Sequence, residues 1–157
     1  RGCPRRQPGV LRRGGETVPH LLSPAELHAA YHVPPTQLLI VTPTGPQDAR
    51  EVARERGPYV VITPCNPFSR EAGDDALNDA QLAVMDLDVA SLRCDSLPTV
   101  AFEAAAGDFE ERGFALWGMS PIRAQRLARR FHQFAYYEVT PEEIVVRAAK
   151  DGAVLRR

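Results

Sequence analysis

A chain of 157 residues that is 44% hydrophobic and 25% charged has the make-up of an ordinary soluble globular domain, long enough to bury a core without metals or disulfides to staple it. No apolar run nears the ~20 residues of a membrane helix, so no membrane association is expected. A formal net charge of -1 removes any global attraction to nucleic acid and leaves only local basic faces to consider. Cys3, Cys65 and Cys94 are odd in number and widely spaced, which indicates neither a disulfide framework nor a zinc knuckle and fits a reducing cytoplasm.

Residues 1–22 hold Arg1, Arg5, Arg6, Arg12 and Arg13 among Gly and Pro. They lack an apolar signal core and read as a disordered extension, which leaves residues 23–157 as a single α+β domain. Order is expected from Ser23. The tetrapeptide SPAE supplies a capping hydroxyl, a proline at the first helical position and Glu26 three residues after the cap, which predicts a short helix to about Tyr31. Residues 37–42 are apolar and β-branched and read as a strand. The following TPTGP is expected to continue neither helix nor strand. Residues 48–56 alternate acids with arginines around Val52 and two alanines, the pattern of an exposed helix or charged loop.

Residues 59–63 form a continuous apolar run, as in a strand buried on both faces. Residues 74–92 lack Gly and Pro and carry Leu77, Val84, Met85 and Leu92, which predicts a helix. Residues 99–105 and 113–119 read as an antiparallel hairpin, the second strand central because both of its alternating sets are apolar, with Trp117 in the core. Ser120 and Pro121 then cap a helix whose apolar stripe is Ile122, Leu127, Ala128 and Phe131. Residues 134–139 and 144–149 read as strands. AspGly at 151 turns the chain into a last strand at 153–156; a C-terminal helix begun by a capping box at Thr140 and Glu143 is the alternative. The sum is an α+β fold: a mostly antiparallel sheet with two main helices packed on one face, in the order β-α-β-β-α-β-β after the short N-terminal helix.

The segment VITPCNPFSR at 61–70 carries the most chemistry. Asn66 follows the carboxyl end of a buried strand, where ligands commonly bind in open sheets. Ser69 and Arg70 then place a hydroxyl and a guanidinium just before a helix, a combination that suits a phosphate or carboxylate. The same residue types also serve an Asx turn and a helix cap without any ligand. Cys65 has no histidine spaced to pair with it and reads as a small turn residue, although Arg70 would lower its thiol pKa if the two were close.

Elsewhere, His28 and His32 have the spacing to share a metal, but no third ligand is evident, so neither metal nor cofactor is expected. Glu111 and His132 are candidate general bases. His132 and Gln133 fall at a helix-to-strand junction, where side chains reach clefts. Arg123, Arg126, Arg129 and Arg130 share a helix and offer a route to a nucleic-acid backbone, without the aromatic interleaving or reading motif that such binding usually shows.

These features together resemble the bacterial family known as domain of unknown function 3293. The resemblance lies in ITPCNP with its polar Ser/Arg continuation, in Glu111 ahead of GFALWGM, and in the AQRLARRF helix leading into Gln133. It implies that Asn66, Glu111 and Gln133, with Asn78 more loosely, are polar positions of interest, and it implies no activity. Cys65 stands where that family commonly has an aromatic residue, and Phe134 where it usually has asparagine.

The expected function is a cytoplasmic binding or regulatory domain whose polar cluster of Asn66, Ser69, Arg70, Glu111 and Gln133, with His132 near it, holds a small anionic ligand or a protein partner such as a peptide. A small hydrolase or transferase using Glu111 or His132 as base is the alternative. A nucleic-acid or phage-defence accessory protein is the third.

Overall fold

A computed structural model describes residues 37–65, 75–102 and 110–156. The expected extension at 1–22, the helix at 23–31 and the His28/His32 pair lie outside the described residues. Eight strands and three helices occur among those residues: β1 (Gln37–Thr42), β2 (Gly45–Asp48), α1 (Ala49–Arg56), β3 (Tyr59–Ile62), α2 (Asp75–Ser91), β4 (Ser96–Phe102), β5 (Glu110–Trp117), α3 (Pro121–Arg130), β6 (Ala135–Val139), β7 (Ile144–Ala148) and β8 (Val154–Arg156). The strands form one sheet in the order β2-β1-β4-β5-β3-β6-β7-β8. Every pairing in it is antiparallel.

β3 is buried at all four positions, between β5 and β6. Its side chains alternate between two cores, as the period of two in a strand requires. Tyr59 and Val61 join Leu38, Ile40, Trp117 and Val139, together with Ala49, Val52 and Ala53 of α1. Val60 and Ile62 join Leu116 and Tyr136, together with Met85 and Val89 of α2 and Ala124, Leu127 and Ala128 of α3. The two longer helices share one face of the sheet, as expected. α1 covers the other, so the architecture has three layers, and the chain order is β-β-α-β-α-β-β-α-β-β-β rather than β-α-β-β-α-β-β.

Some expectations are corrected, in whole or in part, for identifiable reasons. The TPTGP stretch does not end regular structure, because β2 is an edge strand, where the missing N–H of Pro46 is tolerated. The segment 48–56 is a packed helix. Asp48 caps it by accepting from the Arg50 and Glu51 amides at 2.9 and 3.3 Å. Its alanines let the backbone approach closely enough for the Tyr59 hydroxyl to donate to the Ala49 carbonyl at 2.7 Å. In α2, Met85 and Val89 are buried with Asn78, whereas Leu77, Val84 and Leu87 are exposed. Apolar residues mark both stripes of that helix, so their spacing does not identify the inner one. Ile122 likewise faces solvent, and Ala124 takes its expected place in the core of α3.

The hairpin of β4 and β5 forms as expected, with Trp117 buried. Ser120 caps α3 with Pro121 in its first turn. At the C-terminus the strands win over the helix: Thr140 accepts from the Glu142 and Glu143 amides to make a turn, and β7 pairs with β8.

The β3–β5 contact depends on Gly113. A Cβ there would lie 2.6 Å from the Ile62 carbonyl oxygen and 3.0 Å from the Thr63 Cα. Both neighbours are backbone and cannot rotate aside. Gly113→Ala is expected to cost about 1–3 kcal/mol through overpacking, read as a lower urea midpoint in equilibrium unfolding.

Candidate functional site

Where β3 ends, the chain makes a tight turn against β5. The Thr63 hydroxyl donates to the Arg112 carbonyl at 2.8 Å and accepts from the Cys65 amide at 3.1 Å. The Cys65 thiol donates to the same Arg112 carbonyl at 3.4 Å. A third element closes on this turn: Gln133, 8% exposed, donates its side-chain amide to the Cys65 carbonyl at 2.8 Å and to the Phe131 carbonyl at 3.3 Å. The residue immediately before Asn66 is therefore fixed through both its thiol and its carbonyl.

Gln133 reaches that position because of how α3 ends. The His132 amide bonds the Arg129 carbonyl at 3.0 Å and the Gln133 amide bonds the Ala128 carbonyl at 2.9 Å, with His132 left-handed at φ 55°. This is a Schellman ending, in which the left-handed position normally holds glycine. His132, which is exposed, borders an open cleft of about 210 Å³ together with Gln133, Phe134, Arg129, Ala149 and Lys150.

Glu111 is half-buried beside the same turn, near enough for its charge to act on the Cys65 thiol. Burial, then the Glu111 carboxylate, push that thiol up to about 11 from 9.0. The nearby Arg112 guanidinium lowers it by less than these raise it, and at neutral pH Cys65 is a protonated, buried thiol rather than a nucleophile. Arg112, next along β5, forms an ion pair with Asp79 in α2, which ties the start of that helix to the same end of the sheet. Asn78, adjacent to Asp79, is buried.

Of the residues singled out by sequence, Glu111 and Gln133 converge on Cys65. His132 borders a cleft with Gln133. Asn66, Ser69 and Arg70 lie outside the described residues and follow Cys65 directly in the chain. Sequence reasoning missed Arg112, Asp79 and the structural part of Thr63; only the ThrPro pair at the strand end hinted at the last. Among the arginines of α3, Arg130 pairs with Asp88 of α2 at 2.5 and 3.1 Å and Arg123 donates to the Leu92 carbonyl at 3.2 Å. Arg129 bonds its own helix at Gln125. Among the described residues no helix is long and apolar enough to cross a membrane.

Residues 62–136 match the family model described as protein of unknown function, DUF3293. Over that segment, just under half of the chain, it is similar to this family. The DUF3293 segment runs from the last residue of β3 into β6 and contains all six candidate residues. No curated protein and no solved structure matches the chain.

Two outcomes follow from this geometry. The unfolded Cys65 thiol ionises near 9 while the folded one stays protonated to about 11, so the unfolded state binds fewer protons in that window and stability falls as pH rises through it. Between pH 8 and pH 10 the urea midpoint of the native chain should therefore fall further than that of Cys65→Ala, which has no thiol to ionise. His132→Gly relieves the left-handed strain and should raise stability by about 1 kcal/mol, measured as a higher Tm with the fold unchanged by circular dichroism.

Proposed function

We propose that the domain binds a small anionic ligand at the end of the sheet where β3 leaves for Asn66, with Asn66, Ser69 and Arg70 as contacts and Glu111 and Gln133 as their supporting neighbours. The observation that carries this reading is the Gln133–Cys65 hydrogen bond. A buried side-chain amide holds the backbone of the residue preceding Asn66, and such fixation by a supporting shell is what a recognition site needs. Ser69 and Arg70 supply the hydroxyl and guanidinium that favour an oxyanion. The protonated Cys65 thiol argues for binding over covalent chemistry by that residue.

Glu111 keeps a second reading in view, a hydrolase or transferase that uses it as a general base, because its charge acts on the same turn. In that case Glu111→Gln would abolish turnover of a phosphate or carboxylate ester while leaving ligand affinity in place.

The test is a thermal-shift titration with inorganic phosphate, AMP and citrate. A ligand of the native state raises Tm by mass action. At least one should raise it, and Asn66→Ala and Arg70→Ala should each remove the rise while Cys65→Ala retains it. A panel with no rise, or a rise untouched by both Asn66→Ala and Arg70→Ala, would defeat the proposal.

A further inference from the structure

A second cavity, of about 310 Å³, opens at the other end of the sheet and is lined by Arg93, Cys94, Asp95, Trp117, Gly118 and Arg123. Glu111 and Trp117 are six residue steps apart along β5, roughly 20 Å of extended chain, so this cavity is distinct from the turn at Cys65.

Its charge is lopsided. Arg93 is exposed and has neither an ion pair nor a hydrogen bond among the described residues. Arg123 donates to the Leu92 carbonyl, with no carboxylate partner among those residues. Arg56 stacks over the Trp117 ring at 4.1 Å and lies 3.8 Å from Asp95. One carboxylate thus stands among three guanidiniums, already facing Arg56. The C-terminal end of α2 accounts for some positive charge here, because cations are favoured at that end of a helix. It does not use the donors of Arg93, each guanidinium having five N–H groups.

The backbone adds an independent observation. Arg93 sits just past α2 at φ 52°, a left-handed position where glycine is favoured and an arginine is strained. A strained backbone that carries unpaired guanidinium donors to the rim of a cavity shared with Arg123 is the kind of outlier from which a functional role is inferred.

We propose that this cavity is a binding site for a small doubly charged oxyanion, held between the guanidinium groups of Arg93 and Arg123 against the edge of Trp117. Two guanidiniums from separate elements match the two charges, and the indole supplies an apolar wall for the rest of the ligand.

The experiment is isothermal titration calorimetry on the full chain at an ionic strength of about 0.01 M, where exposed charges are least screened. Inorganic phosphate and succinate are titrated separately, to distinguish a phosphate from a dicarboxylate ligand. The titrations are run in an Arg70→Ala background, which removes the anion contact proposed near Asn66, and there at least one of the two should bind saturably at a single site. Arg93→Gly, which suits the left-handed backbone and should melt no lower than the native chain, is expected to weaken that binding about tenfold or more, the range for losing a charged hydrogen bond. Arg123→Gln should do the same. Absence of saturable binding by both anions, or undiminished binding in Arg93→Gly, overturns the proposal whatever becomes of the site near Asn66.

Discussion

Everything in this fold hangs on β3, a four-residue strand with no exposed position. It joins two halves of the sheet, β2-β1-β4-β5 on one side and β6-β7-β8 on the other, and it feeds alternate side chains into the cores beneath α1 and beneath α2 and α3. Tyr59 shows how tightly the first of these is drawn together: its ring lies 4.6 Å from that of Trp117 and its hydroxyl holds the Ala49 carbonyl. The same strand delivers the chain into the turn at Cys65. Stability and the candidate site are therefore coupled through one element, and a site built at the end of so constrained a strand inherits its rigidity.

The two helices on the common face end alike. Past α2 the left-handed residue is Arg93, and past α3 it is His132. Each replaces the glycine that such an ending favours and each borders a cavity. A basic side chain near a helix C-terminus recovers part of the backbone cost through the dipole, which explains why arginine and histidine are tolerated there. The Arg130–Asp88 pair and the Arg123–Leu92 bond then hold the helices together, so half of the arginines on α3 serve packing. This explains why a charge pattern that suggests a free basic face forms only part of one.

What was legible in the sequence was whatever local chemistry decides. The continuous apolar run of β3, the SerPro start of α3, the β4–β5 hairpin and the AspGly turn before β8 each follow from residue types within a few positions. What was illegible depended on a partner. Pro46 excludes a central strand but permits an edge, and edge position is a property of the whole sheet. Ala49 and Ala53 look too small to define a buried face until the sheet comes close enough to use their smallness. At the site, Glu111 and Gln133 were legible singly, as a candidate base and as a junction residue, but only the family resemblance put them together with Asn66, because they are 22 residues apart in the chain. The group that unites them, the Cys65 turn with its backbone carbonyl, carries no hydrogen-bonding signature in sequence, because every residue has a carbonyl.

Overall charge is a poor guide to this molecule for a related reason. The chain has 19 basic and 20 acidic residues, yet the two ends of its sheet differ. At the Cys65 end Glu111 stands beside a turn whose nearby Arg112 is paired with Asp79. At the Trp117 end Arg93 and Arg123 line a cavity together with Asp95, whose carboxylate lies 3.8 Å from Arg56. Separated by roughly 20 Å along β5, the ends lie more than two Debye lengths of ~8 Å apart at physiological salt. Each presents its own local field to solvent, so a near-zero net charge is compatible with a strongly cationic patch, and that patch is visible only once the strands have sorted the charges by end.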